Sequence, residues 1–586
     1  MKLRFKHQKF QADAAKAVCD VFAGQPKLEH TYIIDPGLIT KPEQIGLDFD
    51  ASPEEVKRRI EQLNTGHNNA RVVLSADQVL ENLQRVQRSN QLPPSLKLEG
   101  LYNLTIEMET GVGKTYTYIK TMYELNKLYG WKKFIVVVPS VAIREGIHKS
   151  FQITQDHFAE DYGKKIRYFI YDSKNLTAID QFASDSGINV MIINSQAFNA
   201  RGKAARRIYM KLDSFRSRRP IDVIAATNPI LIIDEPQSVE GKVTKERLKE
   251  FNALMTLRYS ATHKKDSIYN MVYRLDALEA YNKRLVKKIA VKGITVTGST
   301  ATEGYFYLEK INLFANRSPT ATLEFEIKGA KGVRKVTRIV GEGYNVFEHS
   351  GGLDQYRGYT VSRINGLANT VEFANGKSIS AGDVVGAVNE DHIRRIQIRE
   401  TIKSHLEREK QLYFKGIKVL SLFFIDEVAK YRQYAADGSE LLGEYAQVFE
   451  EEYRSVLGAW QREFGDDAYM KYLDGIEAGK THAGYFSIDK RSNRLKDSAI
   501  NDRREKTTND VDAYDLIMRD KERLLSLNEP VRFIFSHSAL REGWDNPNVF
   551  QICALREIGT ERERRQTIGR VLRLCVNQQG ERLRGS

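Results

Sequence analysis

Between residues 101 and 262, apolar side chains come in brief blocks separated by helix-like spacing. Leu104–Met108, Phe134–Val138, Val190–Ile193, Ile230–Ile233 and Leu257–Ser260 are each four or five residues long. Near-continuous apolar runs of that length suit strands covered on both faces, so they predict a parallel sheet flanked by helices. After the first block, Tyr118, Met122 and Leu125 recur at three or four residues and predict a helix. Residues 24–100 read as an irregular lead-in with some helix (Pro53 to Leu63, Ser75 to Val86), and no sheet is expected there.

The pattern changes around 300–392. Thr, Gly, Val and Tyr dominate, Ala321 to Ile327 alternates, and Gly351-Gly352 and Asn375-Gly376 punctuate the segment. This predicts small antiparallel β structure. Charged helical sequence resumes at Asp391–Glu409, and strand signals return at Lys418–Ile425, Val531–Phe535 and Phe550–Leu555. The expected class is α/β, with two tandem parallel-sheet domains and a β-rich insertion in the second. The expected spans are 1–280 for the first domain, 281–299 with 393–586 for the second, and 300–392 for the insertion.

Composition narrows the partners. The chain has 586 residues and a net charge of +14. Such a balance favours an anionic partner, most often nucleic acid, over a basic surface kept for solubility. Cys19, Cys553 and Cys575 are far apart and form no ligand cluster, which fits a reducing compartment without disulfides or zinc sites. Met1 to His7 lacks the apolar core of a signal peptide, and no apolar run approaches a membrane span. A cytoplasmic protein with no membrane partner is expected.

The strongest chemical signal is Met108-Glu109-Thr110-Gly111-Val112-Gly113-Lys114-Thr115. Strand, glycine loop and helix make a phosphate cradle. Thr110, Gly111, Val112 and Gly113 bring main-chain N–H groups to anionic oxygens, Lys114 adds a point charge, and the Thr115 hydroxyl suits Mg²⁺. The strict pattern wants glycine where Met108 stands. Ile232-Ile233-Asp234-Glu235-Pro236-Gln237 ends another apolar run with two acids. Asp234 is the candidate Mg²⁺ ligand and Glu235 the group that polarises an attacking water; solvated acids at a strand end are the plainer alternative. Ser260, Ala261 and Thr262 follow a third run and could relay the state of the acidic loop, or form an ordinary turn. Arg570 and Arg573 lie three apart on one helical face and could meet the charge on a transferring phosphoryl group. A solvated basic face is the alternative. Before them, Ser538 to Asp545 reads as a small-residue turn whose Gly543 and Asp545 could touch both nucleotide and strand.

The order Gly-Val-Gly-Lys-Thr, Asp-Glu-Pro-Gln, Ser-Ala-Thr-His, Arg-Glu-Gly-Trp-Asp and Gln-x-x-Gly-Arg-x-x-Arg resembles the motif series of superfamily-2 helicases and translocases. Within it, Asp234 to Glu240, Val137 to Gly146 and Phe423 to Asp426 are most similar to the restriction (Res) subunit of type III restriction-modification enzymes. The resemblance implies two RecA-like domains with ATP and Mg²⁺ between them, and a motor that moves on double-stranded DNA beside a modification (methyltransferase) subunit. It implies that Phe10-Gln11 carries the glutamine that reads adenine, and that Pro139, Ser140, Asn194, Ser195 and Gln196 face nucleic acid. The basic runs Arg201–Lys211 and Arg216–Arg219 could add phosphate contacts. Pro236-Gln237, in place of the Ala-Asp of RNA helicases, favours a duplex-DNA motor by analogy. Res subunits carry a nuclease domain after the motor, and this sequence is expected to be a fragment that stops before it. Glu326-Ile327-Lys328 fits an acid-x-Lys pattern but reads better as an exposed face of the insertion. A stand-alone DNA or RNA helicase and an ATP-gated nucleic-acid binding protein are the other readings.

Overall fold

The computed structural model describes residues 5–581 except 34–51, 53, 55–64, 101, 200–206, 213–214, 216, 240, 264–266, 298–303, 331, 387–388, 436, 438, 466, 490–493, 497–522, 538–545, 557–563, 565–566, 570–571 and 580. The chain divides into two compact units. One comprises 1–288, 408–429 and 480–586; the other comprises 289–407 and 430–479.

The first unit contains a seven-stranded parallel sheet. Its spatial order is Arg167–Ile170, Asn189–Asn194, Lys133–Val138, Ile230–Asp234, Met255–Ser260, Asn103–Met108, Asn270–Leu275. The five predicted runs form the middle. The two edge strands carry Arg and Asn among their apolar residues and lack a continuous apolar block, so periodicity does not reveal them.

Alternation within the central strands divides the core. Val136, Val138, Val190 and Ile232 face one layer with Ile119, Met122 and Leu125 of helix Lys114–Tyr129. Ile135, Val137, Ile193 and Ile233 face the other, with Ile179, Phe182 and Ile224. Burial on both faces is the reason these strands read as unbroken apolar runs.

The lead-in holds more order than expected. His30–Ile33 pairs antiparallel with Thr65–Asn68. Thr-Gly-His-Asn has no apolar alternation, so its strand state comes from pairing with a distant segment. Helix Ala76–Ser89 starts at Ser75, where Ser75 and Gln78 form a reciprocal capping box. Apart from Glu54, the helix expected at Pro53 to Leu63 lies outside the described residues.

The same unit holds a second parallel sheet, ordered His482–Tyr485, Phe533–Ser536, Leu420–Phe424, Val549–Ala554. Three of its strands match predicted runs. The edge strand His-Ala-Gly-Tyr is too poor in branched and aromatic residues to announce itself. Two parallel α/β sheets thus form the fold, as the apolar blocks predict.

The second unit is β-rich. Its five-stranded sheet runs Thr295–Thr297, Asp383–Val385, Phe306–Asn312, Thr320–Gly329, Gly332–Val340. A separate three-stranded sheet contains Val361–Asn365, Thr370–Phe373 and Ser378–Ser380. Phe306, Phe325, Tyr356, Tyr359 and Phe373 fill the core. The unit extends beyond 300–392 because Arg395, within helix Glu390–Tyr413, pairs with Glu451 and Glu452 of helix Glu444–Phe464. Glu326 accepts from the Gln355 side-chain amide at 2.8 Å, so the acid of the acid-x-Lys pattern is engaged inside this unit.

Among the described residues no helix is long and apolar enough to cross a membrane. All three cysteines are buried free thiols.

Candidate nucleotide site and strand-end surface

The carboxyl ends of parallel strands gather the candidate residues along one sheet edge, the usual ligand edge of open α/β sheets. Met108 ends one strand and Asp234 another. Ser260 ends the strand between them, paired beside Glu107 and one position beyond Tyr259, the partner of Asp234. Val138 and Asn194 are register partners, so Pro139-Ser140 and Asn194-Ser195-Gln196 emerge side by side from the same edge.

The glycine loop needs its glycines. Gly111 has φ +87° and Gly113 φ +94°, both left-handed. A Cβ on Gly113 would stand 2.7 Å from Nε2 of Gln11. That same Nε2 donates to the Val112 carbonyl at 2.9 Å, so Gln11, 4% exposed, braces the loop directly. A Cβ on Gly111 would meet Cγ of Arg573 at 3.2 Å and its main-chain nitrogen at 3.3 Å. Arg573 therefore packs beside the loop. The Leu572 carbonyl accepts from the Lys287 N–H at 2.9 Å, which ties the segment to the chain after helix Ala277–Asn282.

Helix Lys114–Tyr129 starts at Gly113 without a side-chain cap, leaving its first N–H groups directed at the loop. Lys114 Nζ lies 2.7 Å from Oε1 of Glu235. Glu235 has φ +55°, a conformation that costs a non-glycine residue on the order of 1–2 kcal/mol. Its N–H donates to the Tyr259 carbonyl, and its own carbonyl accepts from Ser238 as the chain turns into the short helix Pro236–Val239. Oε2 of Glu235 accepts from the Gln237 amide at 2.6 Å and from the Ser260 hydroxyl at 2.8 Å.

Ser260 is fully buried, and its single proton has three acceptors within reach: Glu235, Oε1 of Gln237 at 3.0 Å and the Thr262 carbonyl at 3.0 Å. The Thr262 N–H donates back to Ser260 at 3.1 Å, while Ala261 bridges the two.

Electrostatics separates the two acids. Burial raises the Asp234 carboxyl well above the carboxylate range, the neighbouring Glu235 charge adds to this, and Lys114 opposes it. Burial alone would also raise Glu235, but Lys114, Ser260 and Gln237 hold it below its ordinary value. The pair is thus split, with Glu235 biased toward its anion and Asp234 pushed toward its protonated form. Burial likewise pushes the Tyr118 phenol up, with Asp234 and Thr115 as close neighbours. Burial lowers His263 to about 4, and its Nε2 sits 3.4 Å from the Ile106 carbonyl.

Left-handed glycines, a helix N-terminus, Lys114 and two acids form a donor set that fits a magnesium–polyphosphate group. Thr115 and Asp234 offer the hard oxygens that a Mg²⁺ ion would take. Neither the place of Tyr118 beside Asp234 nor the bracing role of Gln237 stands out in the sequence. Tyr118 looks like a core aromatic at helical spacing, and Gln237 is distinguished only by its place two residues after Glu235.

At the nucleic-acid candidates, the Ser140 hydroxyl accepts from Ile143 N–H and caps helix Val141–Tyr162. Asn194 Oδ1 accepts from Gln196 N–H at 3.0 Å, and Ser195 N–H donates to the Val138 carbonyl. Asn194 and Ser195 are 7% and 8% exposed, so their side chains shape the strand-end turn more than they face outward. Arg218 pairs with Asp180 and Arg219 with Asp222, which engages the described arginines of that basic run locally. Gly543, Asp545 and Arg570 lie outside the described residues.

Residues 65–265 match the family described as type III restriction enzyme, res subunit. The EcoP15I Res subunit of Escherichia coli is 34% identical over 535 residues, covering 87% of this chain and 52% of the relative. The EcoPI Res subunit of Escherichia phage P1 is 32% identical over 538 residues with the same coverage. The chain therefore spans about half the length of these relatives. A solved structure of the ATP-dependent type ISP restriction-modification enzyme LlaBIII bound to DNA aligns with a TM-score of 0.37 and 11% identity, covering 87% of this chain and 27% of that one. The phosphate loop, the acidic strand end and the Ser260 hub all fall inside residues 65–265, so this chain carries the res-subunit domain of the type III restriction enzyme family and is 32–34% identical to two such Res subunits across 87% of its length.

Proposed function

We propose that this chain is the ATP-hydrolysing motor portion of a type III restriction enzyme, moving on double-stranded DNA so that the complete complex can cut it. The observation that carries the reading is the Lys114–Glu235 contact, which joins the phosphate loop to an acid that Ser260 and Gln237 also grip.

In this reading, the N–H groups of 110–113 and Lys114 bind the phosphates of ATP, and Gln11 holds the loop through Val112. Thr115 and Asp234 would hold Mg²⁺, which would supply positive charge to offset that of the phosphates. Glu235 accepts a hydrogen bond from the attacking water and orients it for in-line displacement. Arg573, beside Gly111, and Arg570 stabilise charge on the transferring group. Ser260, Ala261 and Thr262 pass the state of Glu235 to the rest of the motor. Pro139, Ser140 and Gln196 meet nucleic acid on the strand-end surface that Asn194 and Ser195 shape, while Gly543 and Asp545 contribute to the nucleotide site.

The partners in this reading are DNA and a modification subunit that supplies sequence recognition, in keeping with relatives named as Res subunits of restriction-modification enzymes, and the compartment is the cytoplasm. The test is DNA-stimulated phosphate release by the full chain. Lys114→Ala should lose nucleotide binding and turnover together. Glu235→Gln should retain binding and lose turnover by at least a hundredfold. Turnover near wild type in either would defeat the mechanism. Robust strand displacement by the chain without a partner would favour a stand-alone helicase.

A further inference from the structure

His7, His157 and Asp161 each bring a ligand atom into one cluster, all within 4.8 Å of one another. None of them serves the site described above. His157 and Asp161 lie four apart on helix Val141–Tyr162, so they project from the same face as a chelating pair. His7 comes from the segment before helix Lys9–Asp20, and its Nε2 is 3.4 Å from Oδ1 of Asp161. Bonds of 2.0–2.1 Å in a tetrahedral site place ligand atoms roughly 3.3 Å apart, so that pair already has the required spacing. His7 is 59% and Asp161 28% exposed, which leaves both free to rotate and close the remaining gap to His157.

The surroundings add an outer shell. The Tyr116 hydroxyl lies 2.8 Å from Nε2 of His157 and fixes the ring. A cation on Nδ1 leaves Nε2–H to donate to that hydroxyl, the outer contact a ligating histidine ordinarily makes. Phe5 stacks on Tyr116 with ring centroids 6.0 Å apart, and the rings of His7 and His157 are 4.9 Å apart. These contacts hold the N-terminal segment against the helix. The bland alternative is an ion pair between protonated His7 and Asp161 beside an uninvolved His157.

We propose that His7, His157 and Asp161 form a binding site for a borderline divalent transition ion, of the Zn²⁺ or Co²⁺ type, with water completing the coordination. Two imidazoles and one carboxylate select such ions over Mg²⁺, which prefers an all-oxygen shell. The ion cross-links the segment leading to Gln11 with helix Val141–Tyr162. It does so next to Tyr116, two residues past Lys114.

The probe is Co²⁺, added to the untagged full chain in excess Mg²⁺. Wild type should bind one equivalent with a visible d–d absorption band that Zn²⁺ abolishes by displacement. The thermal midpoint should rise with the metal. His7→Ala and Asp161→Asn alter partly exposed side chains, so both variants should remain folded. Each should lose the band and the midpoint shift, with Co²⁺ affinity down at least tenfold. A wild type that takes up no more Co²⁺ than His7→Ala, or an unchanged band in both variants, overturns the site. Phosphate release in Mg²⁺ alone, without Co²⁺ or Zn²⁺, should be unaffected by His7→Ala, which separates this test from that of the ATPase reading.

Discussion

The Ser260 hydroxyl lies 2.8 Å from Oε2 of Glu235, at the end of the strand adjacent to the one that carries the acid. One buried proton is shared among Glu235, Gln237 and Thr262, so a shift of Glu235 must redistribute it. Replacing Ser260 by alanine leaves Glu235 its contacts with Lys114 and Gln237 but frees Thr262 from the acid. Removing one hydrogen bond to a buried charge costs roughly 1.5–3 kcal/mol. Ser260→Ala should therefore bind ATP at near wild-type affinity, hydrolyse it about tenfold more slowly and respond less to DNA. Equal DNA stimulation in mutant and wild type would show that Ser260 only packs the turn.

Gly111 and Arg573 make a second pair that can be separated by mutation. A Cβ at Gly111 meets left-handed backbone strain, on the order of 1–2 kcal/mol, together with the approach to Arg573 Cγ at 3.2 Å. Gly111→Ala should reduce phosphate release at least tenfold. Arg573→Ala removes the Cγ contact but leaves the strain and the 3.3 Å approach of its main-chain nitrogen. The double variant should thus be better folded than the sum of the two single changes predicts, while still lacking turnover. Strict additivity of the thermal midpoints would show that the two residues do not meet.

Much of this arrangement was legible in the sequence because buried parallel strands advertise themselves. Phe134–Val138 and Ile230–Ile233 are apolar on both faces, and the motifs follow directly at their ends. Edge strands such as Arg167–Ile170 and His482–Tyr485 are stabilised by one neighbour and carry no such block. The hairpin of His30–Ile33 with Thr65–Asn68 depends on a partner more than thirty residues away. Within the site, residue types indicated Lys114, Asp234 and Glu235. They could not indicate that Lys114 rests on Glu235, that Gln11 grips Val112, or that Tyr118 stands by Asp234. Those are consequences of register between strands and of helix rotation, which sequence spacing does not encode.

Gln11 offers a prediction that distinguishes bracing from chemistry. Its amide nitrogen donates to the Val112 carbonyl and occupies the space a Gly113 side chain would need. Gln11→Ala removes the donor and opens room beside the loop, while Lys114 and the acids are left in place. KM for ATP should rise about tenfold, with kcat falling less than threefold. Gln11→Glu, which keeps the size but cannot donate to Val112, should resemble alanine. A fall confined to kcat would contradict a bracing role.

His263 supplies the pH dependence. Burial lowers its pKa from 6.5 to about 4, so the folded chain refuses a proton that the unfolded chain accepts between those values. The sign follows from linkage: the stabilisation is fully present above pH 6.5 and is lost as pH falls through 6.5 toward 4. Two and a half pH units correspond to an upper limit on the order of 3 kcal/mol. The partly exposed ring lowers the realised value. His263→Gln is uncharged throughout this range and should flatten the acid side of the stability profile. The check is the thermal midpoint of both proteins at pH 7.5, 6 and 5. Wild type should lose more than the variant between pH 6 and 5, with the two changing little relative to each other above 6.5. Parallel profiles across the whole range would mean that His263 takes up its proton as readily in the folded chain as in the unfolded one.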